Sequence, residues 1–324
     1  MDFTISAQKI NQAVQRAKNI LLIAHQRPDA DALGSLMSLA EWLGNSGKNC
    51  VSFCRDLPSV TENLAFLFNL DLLVSDPALL ATQQFDAVIV LDSGDLSYAG
   101  VSDILPKLSP VPVVINIDHH ATNTNFGDVN LIDSQAVSTT EILYRFFQIN
   151  KIRISPAMAT GLLAGIIFDT SNFTNHNTTH GSLEVASRLL LAGAKLPQIN
   201  DFILKNKTLG SLRLWGRILL RLNYEPEFGI ASTVIVKQDI QDQLSGREVT
   251  EGVANFLNNL SGVKAVLILY QEEPGLIKGS FRTNDDLIDV AKLAKILGGG
   301  GHRKAAGFKI KGELVELEAG WKIV

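Results

Sequence analysis

Eight aspartate and histidine residues, each at or just after the end of an apolar run, are the side chains of this sequence that could do chemistry. They are His25, Asp29, Asp31, Asp92, Asp118, His119, His120 and Asp169. Carboxylate and imidazole groups are metal ligands, and an aspartate-rich set without sulfur suits Mn²⁺ or a similar divalent ion better than structural Zn²⁺. The carboxylates suffice for two ions that share one bridging aspartate, an arrangement that serves phosphoester hydrolysis.

Each of these segments also has a structural interpretation when it is taken alone. Asp29 and Asp31 could cap the helix that follows them, and Asp92 could be a turn-forming aspartate. Two adjacent histidines behind a buried strand, His119-His120, are rarely structural. Asp169 ends an apolar helix, where a negative charge is unfavourable with the helix dipole and a cation would compensate it. The joint occurrence of four such segments favours the functional interpretation.

Apolar strands and amphipathic helices must position these side chains. Continuous apolar runs typical of buried parallel strands cover residues 19–24, 49–53, 86–91 and 111–117. Helical spacing predicts helices over residues 4–18, 31–44, 62–68, 138–149, 156–168, 179–193 and 198–222. In open α/β folds the rim at the carboxyl ends of the strands is where ligands bind. The sequence therefore predicts an α/β fold with a mostly parallel sheet and flanking helices, and a site at that rim.

The C-terminal part of the chain has a different pattern. Strands are predicted over residues 230–236, 265–270, 276–281 and 307–310, and helices over 248–260 and 287–297. This mixture predicts a smaller C-terminal α/β domain. The predicted boundaries are a first domain over 1–194, a helical linker over 195–224 and a second domain over 225–324.

A glycine-rich loop in the second domain is a candidate anion site. Successive backbone N–H groups over Gly298–Gly301 could approach an anion closely, and His302-Arg303-Lys304 adds charge beside them. A flexible turn is the alternative. Arg282 ends a predicted strand and could hold a phosphate, stack on a base or be a surface arginine. His176 and His180 are interpreted as non-catalytic.

The bulk composition excludes some classes of function. The 324 residues suggest two domains, and the net charge of −4 argues against a long groove for duplex nucleic acid, which needs many phosphate contacts. Cys50 and Cys54 lie four residues apart in a strand, about 13 Å at 3.3 Å per residue, too far for a disulfide. With no visible signal peptide and no apolar run long enough for a bilayer, we expect a cytoplasmic protein that does not enter membranes.

Five motifs, in order along nearly the whole chain, resemble those of the DHH phosphoesterases and their associated DHHA1 domain. They are His25-x3-Asp29-x-Asp31-Ala-Leu-Gly34-Ser35, Leu91-Asp92, Asp118-His119-His120, Asp169-Thr170-x-x-Phe173 and Gly299-Gly300-Gly301-His302-x-x-Ala305-Ala306-Gly307. The compact length looks like the nanoRNase/pAp-phosphatase branch, and less like RecJ with its additional nucleic-acid-binding domains. Ser171 departs from the pattern, since much of the family has glycine there, and we expect only a slight change in that loop.

The resemblance implies a metal-binding role for six of these positions. One Mn²⁺ would be held by His25, Asp29 and Asp92. The other would be held by Asp31, Asp92, His119 and Asp169, so that Asp92 bridges the two ions. Mg²⁺ or Co²⁺ could substitute for Mn²⁺.

The resemblance also implies roles around the metals. Asp118 would support the histidines, and His120 would contact the scissile phosphate and act as general acid. The rest of the nucleotide would be bound by Arg282, Gly299, Gly300, Gly301 and His302.

The implied function is a Mn²⁺-dependent phosphoesterase that hydrolyses short oligonucleotides (nanoRNA), 3'-phosphoadenosine 5'-phosphate (pAp) or both with two metal ions. The expected partners are short single-stranded oligonucleotides or mononucleotide bisphosphates, and the chain would act as a monomer or a homodimer. Alternatives are a phosphodiesterase of cyclic or linear signalling dinucleotides, a RecJ-like single-strand exonuclease, and a catalytically silent nucleotide-binding regulator. The regulator is disfavoured because every implied ligand position carries a competent residue.

Overall fold

The chain folds into two compact units, Met1–Asn206 and Lys207–Val324. The computed structural model describes residues 2–56, 64, 66–67, 73–175, 177–201, 209–239, 253–254, 256–317 and 320–324. The boundary between the units falls inside the predicted linker 195–224. The predicted helices over 62–68, 198–222 and 248–260 lie wholly or partly outside the described residues, as does His176.

A six-stranded sheet forms the centre of the first unit. Its strands are β1 Asn19–Ala24, β2 Asn49–Phe53, β3 Leu73–Val74, β4 Ala87–Leu91, β5 Val113–Asp118 and β6 Val129–Ile132. They are parallel and ordered β3-β2-β1-β4-β5-β6. β2 and β3 lie on one side of β1, and the next strand, β4, lies on its other side. The topological switch point is therefore between β1 and β4. Ligands of open α/β sheets bind at such a point.

Helices cover this sheet and bury its apolar strands. They are α1 Phe3–Arg16, α2 Ala30–Asn45, α3 Pro77–Ala81, α4 Thr139–Ile149, α5 Pro156–Asp169, α6 His180–Leu191 and α7 Leu196–Ile199, with a 3-10 helix at Leu105–Lys107. A mostly parallel sheet with flanking helices is the predicted fold class, which is confirmed. The sequence pattern does not reveal β3, β6 or α3, which are short or weakly apolar.

Glycines let α2 and α5 approach each other closely. A Cβ atom on Gly34 would lie 2.3 Å from the carbonyl oxygen of Gly161, a distance that no side chain tolerates. Since Gly34 lies one turn after Asp31 and Gly161 lies two turns before Asp169, this close crossing brings acidic residues of both helices toward one place. The N-cap of α2 is Asp29, whose carboxylate accepts the N–H groups of Asp31 and Ala32.

The second unit contains a mixed six-stranded sheet, which confirms the prediction of a smaller α/β domain. Its strands are β7 Asn223–Glu225, β8 Ile230–Ile235, β9 Ala265–Glu273, β10 Leu276–Arg282, β11 Gly300–His302 and β12 Ala305–Lys311, in the order β11-β12-β10-β9-β8-β7. The helices are α8 Leu209–Leu220 and α9 Val290–Ile296, with a 3-10 helix at Lys237–Asp239, and a separate hairpin joins β13 Leu314–Leu317 to β14 Gly320–Ile323.

The glycine-rich segment is only in part the predicted loop, because Gly300 and Gly301 belong to β11. This strand pairs antiparallel with β12, and a Cβ on Gly299 would lie 2.1 Å from the carbonyl oxygen of Gly307. Glycine is therefore required here by close packing of backbone on backbone.

Both cysteines are free thiols, as predicted. Burial raises the pKa of Cys50 to about 12 and that of Cys54 to about 11, so both stay protonated at neutral pH. Within the part of the chain that the structure describes, no helix is both long enough and apolar enough to cross a membrane.

Candidate metal centre and active site

The carboxyl ends of three neighbouring strands bring the predicted residues together. His25 follows β1, Asp92 follows β4 and His119 follows β5. The register pairs Ala24 with Leu91 and Leu91 with Ile117, so these three ends lie side by side. They line a cleft of about 230 Å³, whose other walls are Asp29, Tyr98, His120, Val137, Asp169 and Asn177.

Asp92 lies at the centre of this cleft and faces two sets of side chains. Its Oδ2 atom lies 3.4 Å from Nε2 of His25, and its Oδ1 atom lies 3.6 Å from Nε2 of His119 and 3.7 Å from Nδ1 of His120. The backbone of Asp92 has a φ of 55°, in the left-handed region that non-glycine residues seldom adopt. Such strain is common at functional sites, where surrounding structure holds it in place.

The imidazole of His25 is arranged as a metal ligand would be. Its Nδ1 atom lies 2.7 Å from the carbonyl oxygen of Gln26 and donates to it, which leaves Nε2 directed at Asp92. The ring stacks on Tyr98 with 4.8 Å between ring centroids. Metal-binding histidines commonly donate their other N–H to a backbone carbonyl in this way.

Among the residues that the structure describes, three groups of side chains place ligand atoms within 4.8 Å of one another. They are His25 with Asp29 and Asp92, Asp31 with His119 and Asp169, and Asp92 with His119 and His120. The first group is the first predicted ligand set. The second group is the second predicted set without Asp92, which reaches His119 through the third group. The structure thus gathers all six predicted ligands, and their metal-binding role stays a prediction.

The N-terminus of α4 supplies hydrogen bonds to two of the predicted aspartates, Asp31 and Asp92. The carboxylate of buried Asp31 accepts the N–H of Thr139 at 2.7 Å, the N–H of Thr140 at 2.9 Å and the Thr140 hydroxyl at 2.7 Å. The Thr139 hydroxyl donates to Oδ1 of Asp92 at 2.9 Å. The only sequence signal for these threonines is the Ser138-Thr-Thr-Glu141 pattern of a helix start.

Asp118 belongs to none of the three metal groups and instead orients His120. Its Oδ1 atom accepts the N–H of His119 at 2.8 Å and lies 2.6 Å from Nδ1 of His120. Its Oδ2 atom accepts the side-chain amide of Asn123 at 2.6 Å, and this amide also donates to Oδ1 of Asn116 at 2.8 Å. Neither Asn116 nor Asn123 is predicted from the sequence to have a role, although both lie beside the Asp-His-His triplet.

The electrostatics of the cleft favour a bound cation. Burial, followed by the charges of neighbouring aspartates, raises the pKa of Asp31 and Asp169 well above the usual value. Burial also raises the pKa of Asp29, and the charge of Asp92 adds to this. Burial opposes ionisation of Asp92, but the three nearby imidazoles outweigh it and lower its pKa. Crowded carboxylates that repel one another are the donor set that a divalent cation would neutralise.

Two imidazoles of this network, buried His25 and exposed His120, have pKa values above that of a free histidine. Burial lowers the pKa of His25, but its hydrogen bond with Asp92 and the negative charges around it raise that pKa to about 9. The hydrogen bond with Asp118 raises the pKa of His120 to about 9 despite partial burial. Protonated His120 donates from Nδ1 to Asp118 and keeps a second N–H on Nε2.

Comparison with known proteins assigns this site to a family. The DHH family, N-terminal domain, matches residues 19–166, and the DHHA1 domain matches residues 233–319. The bifunctional oligoribonuclease and PAP phosphatase NrnA of Thermus thermophilus is 30% identical over 302 residues, which cover 90% of this chain and 84% of that protein. The chain belongs to the DHH/DHHA1 phosphoesterase family. This result confirms the resemblance given by the five motifs.

Two further relatives and one solved structure are similar to this chain. The protein of the same name from Bacillus subtilis is 28% identical, over 90% of this chain and 89% of that protein. The cyclic-di-AMP phosphodiesterase PdeA of Listeria monocytogenes is 25% identical over 95% of this chain, which spans only 47% of PdeA. The crystal structure of an exopolyphosphatase-related protein from Bacteroides fragilis has the same fold, with a TM-score of 0.85 at 22% identity over 94% of this chain and 90% of that chain.

In the DHHA1 domain, the register of the sheet places two predicted residues in one row. Arg282 on β10 pairs with Ala305 on β12, and Ala305 pairs with His302 on β11. Paired residues of antiparallel strands point to the same face, so Arg282 and His302 flank the small Ala305, about 10 Å apart at roughly 4.8 Å per strand. On these three strands the next row consists of the small residues Ser280, Gly307 and Gly300.

The other face of this part of the sheet is apolar. Phe281, Ala306 and Phe308 are buried there against α9. The opposite, polar face of β10, β12 and β11 therefore has small residues at its centre and cationic side chains on both sides of them. Lys278 and Lys309 form a third row on this face, beyond Ser280 and Gly307. These two lysines are not predicted from the sequence, since their common face depends on the register of the strands.

The Arg282 guanidinium donates to the carbonyl oxygen of Phe281, and the predicted cations beside the glycines also have protein partners. Arg303 donates to the carbonyl oxygen of Asp286, and Lys304 donates to the carbonyl oxygen of Asn284 and to the Asp286 carboxylate. Their predicted role beside an anion therefore competes with these bonds. In the DHH domain, His180 begins α6 and belongs to none of the three metal groups.

Proposed function

We propose that this chain is a Mn²⁺-dependent phosphoesterase that hydrolyses short oligoribonucleotides and pAp with two metal ions. The observation that carries the proposal is the position of Asp92, whose Oδ2 atom faces His25 and whose Oδ1 atom faces His119. A carboxylate with one oxygen toward each ligand group is what a bridging ligand requires. The names of the Thermus and Bacillus relatives support the choice of substrates.

The proposed roles of the protein groups follow from their contacts. His25, Asp29 and Asp92 would hold one ion, and Asp31, Asp92, His119 and Asp169 would hold the other. When bound, two such ions activate a water and neutralise the charge that develops on phosphorus. His120 would donate the proton of its Nε2 atom to the departing oxygen, because Asp118 occupies Nδ1 and keeps the ring protonated.

The polar face of the DHHA1 domain is the proposed nucleotide-binding surface. Arg282 and His302 would bind phosphate or stack on a base, and the floor of Gly300, Ala305 and Gly307 would let a nucleotide lie close to the backbone. Gly299 and Gly301 would act indirectly, since a Cβ on either would collide with β12. A surface this small suits a substrate of few nucleotides.

Hydrolysis of signalling dinucleotides is the second candidate. It is supported by the likeness to the cyclic-di-AMP phosphodiesterase PdeA, although this chain spans less than half of that protein. A RecJ-like exonuclease fits less well, because the net charge of −4 offers little attraction to a long strand.

A substrate panel with and without metal tests the proposal. We expect purified protein with Mn²⁺ to hydrolyse di- to pentaribonucleotides and pAp faster than cyclic dinucleotides or long single-stranded DNA, and EDTA to abolish the activity. Product release measured by chromatography decides between the substrates. Preferential cleavage of cyclic dinucleotides would establish the second candidate instead, and no hydrolysis of any of them would favour a nucleotide-binding regulator.

Removing the Arg282 side chain is expected to weaken substrate binding more than catalysis. Hydrogen bonds to charged groups contribute about 1.5–3 kcal/mol, so Arg282→Ala should raise KM by roughly ten- to a hundredfold and change kcat little. Arg303→Ala is the matched control, since the Arg303 guanidinium donates to the Asp286 carbonyl. Equal KM values for wild type and Arg282→Ala would exclude Arg282 from the binding surface.

A further inference from the structure

Thr139 is the residue of α4 that contacts two of the acidic side chains at once. Its backbone N–H donates to Oδ2 of Asp31 at 2.7 Å, and its hydroxyl donates to Oδ1 of Asp92 at 2.9 Å. The side chain is fully buried, with 0% exposure. Through these two hydrogen bonds, Thr139 connects Asp31, which belongs to one metal group, with Asp92, which faces both groups.

The hydroxyl bond restricts how the Asp92 carboxylate can rotate. Its Oδ1 atom accepts the Thr139 hydroxyl and lies 3.6 Å from His119, while its Oδ2 atom faces His25 at 3.4 Å. Rotation about the bond to the carboxyl group would break the bond to Thr139 before it could move both oxygens toward one ligand group. The hydroxyl thus favours the orientation in which the oxygens point to different groups.

Thr139 itself is firmly held. It occupies the first position of α4, whose N-cap Ser138 accepts the N–H of Glu141 at 3.1 Å, and Ser138 and Thr140 share a hydrogen bond of 2.8 Å. Further along α4, Phe146 and Phe147 are fully buried in the core. A β-branched side chain on a buried helix start has few rotamers available, so its hydroxyl is a fixed reference point.

The bonds from α4 also restrict Asp31. A carboxylate offers about four lone-pair sites, and Thr139 and Thr140 donate to three of them. One site remains for an ion. Asp31 is thereby limited to a single metal bond, and it lies in a group with His119 and Asp169.

We propose that Thr139 is a positioning residue that couples the two metal groups, because its hydroxyl orients Asp92 so that one oxygen serves each ion while its N–H fixes Asp31. This inference rests on the proposed two-ion function. Groups that orient metal ligands typically contribute about 10- to 100-fold in metal affinity. Loss of the hydroxyl should therefore be visible in metal binding itself, without any substrate.

The test is a Mn²⁺ titration of metal-free protein, followed by the electron paramagnetic resonance signal of free Mn²⁺. Thr139→Val keeps the shape and the N–H but removes the hydroxyl, and we expect at least one site to bind roughly tenfold more weakly or to be lost. Thr139→Ser restores the hydroxyl, so its affinities should return to within about threefold of wild type. If Thr139→Val does not fold, Thr139→Ala removes the same hydroxyl without added bulk.

Thr160→Val separates an effect on stability from an effect on metal binding. Thr160 is also buried in the DHH domain, where its hydroxyl donates to the Pro156 carbonyl and accepts the N–H of Lys195. This variant should lower the unfolding temperature and leave the Mn²⁺ affinities unchanged.

The possible outcomes separate this inference from the proposed function. Wild-type protein that binds no Mn²⁺ would overturn the two-ion proposal and the inference with it. Two wild-type sites that persist with unchanged affinity in Thr139→Val would overturn the inference alone. Equal weakening in the valine and serine variants would show that the hydroxyl does not account for the effect and would also overturn the inference.

Discussion

Replacement of Asp92 by asparagine should lower kcat by on the order of 10⁴-fold, a loss typical of removing one member of a catalytic unit. Asparagine matches aspartate in size and tolerates the left-handed backbone, so the φ of 55° at this position stays acceptable. What changes is the charge and one oxygen, the two properties that a bridging ligand needs. Asp92→Ala should be at least as inactive, with additional backbone strain. Steady-state kinetics and Mn²⁺ stoichiometry measure both effects.

Asp86→Asn is the matched control for this substitution. Asp86 directly precedes β4, the strand that Asp92 follows, and its carboxylate accepts the N–H groups of Lys18 and Asn19. The variant should lose some stability and keep its activity. An active Asp92→Asn enzyme with two bound ions would show that Asp92 does not bridge, even if the other ligands were correctly assigned.

Much of the site could be predicted from sequence because parallel strands end at one edge. Apolar runs in the sequence indicate β1, β4 and β5. Because these strands are parallel neighbours, the first residues after them lie together at the switch point of the sheet. The pattern therefore located His25, Asp92 and His119 without knowledge of side-chain contacts. A different feature indicates Asp169, since its charge opposes the dipole of α5.

The residues that orient these groups could not be predicted in the same way. Thr139 and Thr140 contact Asp31 from more than a hundred positions along the chain, and Asn123 contacts Asp118 only because the segment after β5 folds back. Nothing in local spacing distinguishes such residues from an ordinary helix cap or turn. The φ of Asp92 is likewise a product of tertiary structure, since aspartate has no strong preference for that region.

The prediction of a loop over the glycines failed for a related reason. Glycine weakens strand propensity, so Gly300 and Gly301 read as irregular. They form a strand because they pair with β12. This pairing is possible because Gly301 has no side chain, since a Cβ there would lie 2.6 Å from the Ala305 carbonyl oxygen. Close approach of two backbones is a long-range condition, which the local sequence does not reveal.

Gly165 creates a comparable condition inside the DHH domain, and replacing it with alanine should damage both stability and metal binding. A Cβ at this position would lie 2.4 Å from the Thr140 hydroxyl oxygen and 2.5 Å from Oδ1 of Asp31. Both atoms are buried, and the Thr140 hydroxyl donates a hydrogen bond to Oδ1 of Asp31. Neither atom can therefore move away without breaking this hydrogen bond. Overpacking of this kind costs about 1–3 kcal/mol in the free energy of unfolding.

The metal-binding effect of Gly165→Ala should be confined to one of the two groups. Asp31 would be displaced from His119 and Asp169, whereas the three atoms nearest to the new methyl group include none of His25 or Asp29. Titration should therefore retain one Mn²⁺ site and weaken the other. Gly44→Ala provides the control, because nothing lies within 4 Å of a Cβ there and alanine should stabilise α2 by up to about 1 kcal/mol. Wild-type stability and two intact sites in Gly165→Ala would mean that the Asp31 carboxylate is free to relocate, which contradicts its fixation by α4.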